Sequence, residues 1–226
     1  MSINFLILIY MEDINNQTFE SEKLIFIHIP KNYGTITMKY LFNLDKANSH
    51  ITANQLYSID KFKNYKTFCF VRNPFERFII AYCWLTRPNK FPKNIIHHIS
   101  LIETIEMLTN NNVTYPENME WKYSDNKLWR HILPQSTWIN KNTKIYYCEN
   151  YENEINKLIS DYNINLPKLK LIEKIDNKKK KNQIKTNFIN ILNTRQDLKD
   201  RFINFYKDDF INFDYSTDIN KTNFSF

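Results

Sequence analysis

Two stretches of the chain share one pattern, in which an apolar run is followed by a polar corner and then by helix-like spacing. The apolar runs cover residues 24–29 and 67–71, and unbroken runs of this kind are typical of strands buried on both faces. Thr35 is the predicted cap of the first helix, and Pro74 suits the first position of the second. The apolar residues available for the inner faces are Ile36, Met38, Tyr40, Leu41 and Leu44, and then Phe75, Phe78, Ile79, Tyr82 and Cys83.

The remaining segments predict a continuing alternation of helices, strands and loops. Polar composition predicts loops over residues 110–119 and 174–185, the second of which contains the run Lys178-Lys-Lys-Lys181. Apolar spacing predicts helices over residues 51–59, 100–108, 151–162 and about 194–208, and a strand over residues 144–149.

The first corner, residues 30–34, holds Gly34, the one glycine in the chain. A glycine is kept where the backbone must bend or must approach another group closely. Free N–H groups and the positive end of the helix dipole converge at a strand–turn–helix corner, and Lys31 adds a cation. This corner is therefore a predicted anion site, although for the glycine alone an ordinary connection is the better explanation.

The second corner, residues 72–73, places Arg72 at the carboxyl end of a predicted strand. Ligands of open α/β sheets bind at the carboxyl ends of the strands. An arginine before a proline-capped helix would usually be a solvated residue. Two such corners on adjacent strands nevertheless indicate a ligand with two separate anionic groups.

The residues of both corners resemble known signatures. The segments Ile27-His-Ile-Pro-Lys-Asn-Tyr-Gly-Thr and Phe70-Val-Arg-Asn-Pro-Phe-Glu-Arg-Phe-Ile-Ile-Ala-Tyr82 are similar to the two nucleotide-binding signatures of carbohydrate sulfotransferases. These enzymes use 3′-phosphoadenosine 5′-phosphosulfate (PAPS), and the similar branch contains the heparan 2-O and chondroitin sulfotransferases and their bacterial relatives. Weaker similarity continues at His131 with Pro134-Gln135, at residues 144–149 and at residues 205–215.

The resemblance implies an α/β fold of the three-layer, P-loop-like sulfotransferase type. Helices would flank a short central parallel sheet. A single domain would cover residues 1–226, with residues 1–20 forming a poorly defined N-terminal segment.

The resemblance also implies where the cofactor binds. The first signature would hold the 5′-phosphosulfate, and Arg72 in the second would hold the 3′-phosphate. Ile80 stands where the family has the serine of its 3′-phosphate site, so one hydrogen bond is absent. Thr35 or Thr37 could supply the hydroxyl that Ile36 lacks. The implied residues of the 5′ site are Pro30, Lys31, Asn32, Tyr33, Gly34, Thr35 and Ile36, among which Asn32, Tyr33 and Ile36 replace the usual Thr, Gly and Ser.

Sulfuryl transfer needs a base at the acceptor hydroxyl and donors that match charge on the leaving phosphate. Lys31 and the N–H groups of residues 33–35 are the predicted donors. His50 is the predicted base, because its interval to the second signature matches that of the catalytic histidine in the heparan 2-O enzymes. His131 is the predicted acceptor contact, and a packed structural histidine is the alternative for both.

The other histidines and Glu149 are less favoured as the base. His28 falls inside the first predicted strand and is expected to be packed. His97 and His98 are adjacent on a predicted surface stretch. Glu149 follows His131 as a further candidate.

Composition narrows the class of protein. The net charge of +7 suits a polyanionic cofactor and an anionic acceptor, although nucleic-acid binders carry similar charge. Cys69, Cys83 and Cys148 lie in apolar or strand-like stretches and read as small buried residues, with no metal-site spacing. The absence of an apolar run of about 20 residues and of a basic leader predicts an intracellular, soluble protein without membrane span or signal peptide.

The sequence therefore predicts a PAPS-dependent sulfotransferase that acts on a carbohydrate hydroxyl, without a metal and without a nucleic-acid partner. One alternative is a catalytically degenerate protein that binds 3′-phosphoadenosine 5′-phosphate (PAP) or a polyanion. The other is a P-loop nucleotide kinase, which the lack of a Gly-x-x-x-x-Gly-Lys-[Ser/Thr] sequence disfavours.

Overall fold

The computed structural model describes residues 14–45, 50–87, 100–109, 130–166 and 178–224. The chain divides into two compact units. The first comprises Met1–Arg72 and Gln135–Lys174, and the second comprises Asn73–Pro134 and Ile175–Phe226. A single domain over residues 1–226 stays a prediction.

The first unit is built on a four-stranded sheet. Its strands are β1 (Thr18–Phe19), β2 (Leu24–Phe26), β3 (Lys66–Val71) and β4 (Thr143–Tyr147), which lie side by side in chain order. β1 pairs antiparallel with β2, whereas β2, β3 and β4 are parallel. β2 and, after its first residue, β3 are fully buried. Parallel strands with helices on the sheet faces require such unbroken apolar runs.

Helices flank this sheet in the first unit, and further helices form the second unit. In chain order they are α1 (Gly34–Phe42), α2 (Ala53–Tyr57), α3 (Pro74–Leu85), α4 (Leu101–Thr109), α5 (Tyr151–Tyr162), α6 (Lys178–Thr194), α7 (Gln196–Phe205) and α8 (Lys207–Asn212). Short 3₁₀ turns occupy Asp60–Phe62, Gln135–Trp138, Cys148–Asn150 and Ile219–Lys221. Within the described ranges, no helix combines the length and apolarity needed to cross a membrane.

Each unit has its own apolar core. In the first, Phe26, Phe68 and Phe70 of the sheet pack with residues of α1 and α5, which include Met38 and Ile155. In the second, aromatic residues of α3 meet those of α6 and α7. The rings of Phe75 and Phe202 stack at 5.3 Å, and Phe78 lies 5.2 Å from Phe188.

These elements confirm the predicted fold class, a mixed α/β fold with a mostly parallel sheet flanked by helices. The burial predicted for Cys69, Cys83 and Cys148 is also confirmed. The helix predicted over residues 194–208 is divided between α7 and α8, with breaks at Arg195 and Tyr206. The predicted loop over residues 110–119 lies outside the described residues.

The loop predicted over residues 174–185 is wrong from residue 178 onward, because α6 begins at Lys178. Residues 174–177 lie outside the described part. Lys181, Phe188 and Leu192 are buried, and their spacing places them on one helix face. The lysine run is therefore the first turn of an amphipathic helix, whose apolar residues come later in the sequence than the charges.

Candidate functional site

The connection from β2 to α1, residues 27–33, contains two residues in the left-handed region. Lys31 has φ 73° and Tyr33 has φ 58°, whereas Gly34 has no positive φ. Left-handed backbone costs a non-glycine residue about 1–2 kcal/mol. The bend is thus made by the lysine and the tyrosine. β2 ends at Phe26, so the placement of His28 inside the first strand is wrong.

Gly34 is needed for a close approach. A Cβ atom at this position would lie 1.8 Å from Nε2 of His28, which no side chain can occupy without displacing the ring. Of the two roles expected of a lone glycine, the structure therefore shows contact with a neighbouring group and not a strained turn.

The N-terminus of α1 has no side-chain cap among the described residues. Its N-cap residue is Tyr33, and the predicted cap, Thr35, is exposed and makes no capping bond, so that prediction is wrong. The first turn contains no acidic residue. The first N–H groups of a helix have no partner within the helix, and together with the dipole they favour an anion.

Arg72 directly follows β3, as predicted, and only 2% of it is exposed. The Cζ atom of its guanidinium lies 4.3 Å from the centroid of the Tyr33 ring. Tyr33 is itself 5.0 Å from the ring of Tyr151. The structure thus brings together Arg72 and the first corner, two regions that the sequence separates by about forty residues.

Gln135 joins the two corners and was not among the predicted site residues. Its Oε1 accepts hydrogen bonds from Asn32 Nδ2 at 2.6 Å and from the backbone N–H of Arg72 at 2.9 Å. Its Nε2 donates to the carbonyl oxygen of Arg72 at 2.8 Å. Asn32 Nδ2 also donates to the carbonyl oxygen of Phe70 at 2.8 Å. Gln135 and Asn32 are 0% and 1% exposed, so water does not compete for these bonds.

His50 lies beside the connection from β2 to α1. Its Nδ1 is 3.1 Å from the carbonyl oxygen of His28, and the two rings are 4.3 Å apart. A carbonyl oxygen only accepts, so Nδ1 carries the proton, and the lone pair of the neutral ring is on Nε2. The edge of Trp138 packs against His50 at 5.9 Å.

The other predicted residues occupy different places. His131 belongs to the second unit, where it is buried with its ring 4.2 Å from that of Trp84. Glu149 lies in the 3₁₀ turn after β4. His97 and His98 fall outside the described residues.

Thr37 is engaged in a hydrogen bond, because its Oγ1 lies 2.9 Å from the hydroxyl of Tyr151. Burial raises the pKa of the Tyr151 hydroxyl, which therefore stays protonated at neutral pH. Of the two threonines expected to replace the missing serine, Thr35 is thus the one exposed at the helix start.

Over the ranges described, no group of three or more His, Cys, Asp or Glu side chains is arranged for a metal ion.

A sequence model of the sulfotransferase family matches residues 17–216. Comparison with curated proteins and comparison with solved structures each gave no significant match. The family match includes both corners, all four strands and all eight helices named above. Because it covers far more than half of the chain, the protein belongs to the sulfotransferase family.

Proposed function

We propose that this protein is a PAPS-dependent sulfotransferase that transfers the sulfuryl group to a hydroxyl of a carbohydrate acceptor. The observation that carries the proposal is the junction of the two corners in a member of the sulfotransferase family. Asn32 and Gln135 hydrogen-bond the first corner to the backbone of Arg72, so two cationic regions are held at a fixed separation. A nucleotide with phosphate groups on both the 3′ and the 5′ oxygen of its ribose matches that arrangement.

The chemistry of the available donors fits PAPS. The uncapped N-terminus of α1 and Lys31 suit the 5′-phosphosulfate, and the residues proposed to hold it are those from Pro30 to Ile36. Arg72 suits the 3′-phosphate, since a guanidinium offers paired N–H donors to phosphate oxygens. When bound, PAPS would supply the sulfuryl group and leave as PAP.

Lys31 is proposed to bind the leaving phosphate, where negative charge increases during transfer. Its ammonium and the N–H groups at the start of α1 are fixed donors, and donors of this kind stabilise an oxyanion without reorganisation. Lys31 is partly exposed, so its side chain can reach a ligand at the helix start.

His50 is proposed as the base. Donation from Nδ1 to the His28 carbonyl orients the ring and places the lone pair on Nε2. As the acceptor oxygen forms its bond to sulfur, Nε2 takes the hydroxyl proton. Packing against His28 and Trp138 holds the ring in this orientation.

The acceptor is proposed to be a glycan, with an anionic one favoured by the net charge of +7. His131 is retained as the proposed acceptor contact on sequence resemblance. Its contact with Trp84 within the second unit supports a packing role equally.

Thermal unfolding in the presence of nucleotides tests the proposal. PAP should raise the melting temperature far more than adenosine 5′-phosphate at equal concentration, since ligand that binds the folded state stabilises it. ATP and a short oligonucleotide serve as controls for kinase-like and nucleic-acid binding. Arg72→Ala should abolish the difference between PAP and adenosine 5′-phosphate. Equal shifts from these two nucleotides in the wild-type protein would contradict a 3′-phosphate site.

A further inference from the structure

Tyr33 is a bulky residue in a backbone conformation that such residues avoid. Its φ and ψ are 58° and 19°, in the left-handed region. Residues held in that region persist only where the surroundings determine them, and they cluster at ligand sites. The resembled signature has glycine at this position, so the tyrosine replaces a residue that would adopt the turn without strain.

The surroundings of the Tyr33 ring show what holds it. One contact is the ring of Tyr151, at 5.0 Å. Tyr151 is itself fixed, because its ring packs 4.9 Å from Phe70 and its hydroxyl bonds Thr37. Another contact is the guanidinium of Arg72, with Cζ at 4.3 Å from the ring centroid. Tyr33 therefore connects a rigid aromatic group to the side chain of the second corner.

We propose that Tyr33 is a positioning residue that orients the Arg72 guanidinium toward the 3′-phosphate of the nucleotide. This inference rests on the proposed function. Arg72 is 2% exposed, and a buried guanidinium needs a compensating environment, part of which the negative face of the Tyr33 ring supplies. The N–H donors of arginine suit the oxygens of a phosphate, and the cation–π contact with Tyr33 fixes the position of the group that carries them.

The backbone of Arg72 is fixed separately. Gln135 holds both its N–H and its carbonyl oxygen, at 2.9 and 2.8 Å. Gln135 thus determines where the side chain starts, and Tyr33 determines where the guanidinium ends. Glycine at position 33 would provide no ring, so the position of the Arg72 guanidinium would lose this constraint.

The opposite role for Tyr33 is obstruction of the space above the phosphosulfate. The two roles predict effects of opposite sign on PAP affinity, which makes them separable. Orientation of Arg72 predicts that removal of the ring weakens binding of the 3′-phosphate. Obstruction predicts that removal of the ring strengthens binding of PAP.

The test compares Tyr33→Asn with Tyr33→Phe, using calorimetric titration with PAP and with adenosine 5′-phosphate. Asparagine tolerates the left-handed conformation and removes the ring, whereas phenylalanine keeps the ring and removes only the hydroxyl. The ratio of the two affinities isolates the contribution of the 3′-phosphate. Tyr33→Asn should lower this ratio about five- to thirtyfold, and Tyr33→Phe should leave it unchanged.

The same substitution in an Arg72→Ala background is the control for action through the arginine. There Tyr33→Asn should change the ratio no further, because the group that it positions is gone. A ratio in Tyr33→Asn equal to that of the wild-type protein overturns the inference alone. A rise in PAP affinity overturns it in favour of obstruction. Equal affinity of the wild-type protein for both nucleotides overturns the proposed function and this inference with it.

Discussion

The two corners both lead from a parallel strand to a helix, yet they are built in different ways. At the second corner, Oδ1 of Asn73 accepts a hydrogen bond from the N–H of Phe75 at 3.0 Å, and Pro74 occupies the first turn of α3. At the first corner, α1 begins after Tyr33 with no side-chain cap from any described residue. A capped helix start has its donors satisfied by the protein, whereas an uncapped one keeps them for a ligand.

This difference teaches which groups can recognise charge at each corner. At the first corner the backbone itself can bind an anion, with Lys31 as the accompanying cation. At the second corner the helix start is satisfied internally, so the proposed recognition of the 3′-phosphate there depends on the Arg72 side chain. The predictions that follow test this division, from the largest expected effect to the smallest.

Removal of the proposed base should have the largest effect. His50→Ala should lower the rate of sulfuryl transfer by about 10²–10⁴ while PAP still stabilises the fold, because the lost step is proton transfer. The wild-type rate should fall as the pH drops below about 6.5, the ordinary pKa of an imidazole, because the base is then protonated. Steady-state rates across a range of pH measure the transfer step, and melting curves with PAP measure the stabilisation by the nucleotide.

His131→Ala is the matched control for His50. If it leaves the pH profile unchanged while His50→Ala removes the acid limb, the assignment of the base holds. Wild-type transfer with an unchanged profile in His50→Ala would rule His50 out, and His131 and then Glu149 would be tested next.

Lys31→Ala should lower kcat by about 10²–10³ with a smaller loss of PAP affinity, because its proposed role is to match charge that develops during transfer. Lys39→Ala is the control, since Lys39 lies near the other end of α1 in a salt bridge to Asp45 at 2.8 Å. Rates at saturating substrate and titrations with PAP separate the two quantities. Parallel losses of rate and affinity would make Lys31 a cofactor clamp only.

Gly34→Ala should destabilise the protein by about 1–3 kcal/mol, the usual cost of overpacking. Alanine normally stabilises a helical position, so the expected sign comes from the His28 ring. Chemical denaturation measures the free energy of unfolding. In a His28→Ala background the same substitution should be neutral or stabilising, and persistence of the full cost there would refute the close-contact explanation.

The smallest effect on stability should come from substitutions at the two helix N-termini. Asn73→Ala should lower the free energy of unfolding by about 1 kcal/mol, the typical contribution of an N-cap side chain. Thr35→Ala should change it by no more than about 0.5 kcal/mol, since Thr35 is exposed and caps nothing. Equal losses from the two substitutions would remove the distinction between the corners.

The elements that sequence predicted well are those with a local signal. The strands around residues 24–29 and 67–71 are contiguous apolar runs, and the helix at Pro74 has a proline start and an apolar stripe. Arg72 could be placed because it directly follows one of these runs. The lysine run at 178–181 led to the wrong prediction of a loop, because its charges precede the apolar positions of the same helix.

The contacts that sequence could not supply are long-range or conformational. The bonds of Gln135 reach partners 63 and 103 residues away, and no local pattern marks a glutamine as their donor and acceptor. The requirement for Gly34 comes from the ring of His28 and from the chain path between them. In the sequence, Tyr33 is only a replacement of the glycine in the signature, and its contact with Arg72 becomes apparent only in the structure.

The position of Gln135 also has a consequence for folding order. The helix start at Gly34 and the end of β3 can form from the first third of the chain, and Asn32 bonds the carbonyl oxygen of Phe70 directly, but the bonds made by Gln135 await residue 135. Closing a loop of about a hundred residues costs entropy that local contacts cannot offset, so this step comes late. During synthesis on the ribosome, the two corners would form early and would gain the Gln135 bonds only after residue 135 emerges.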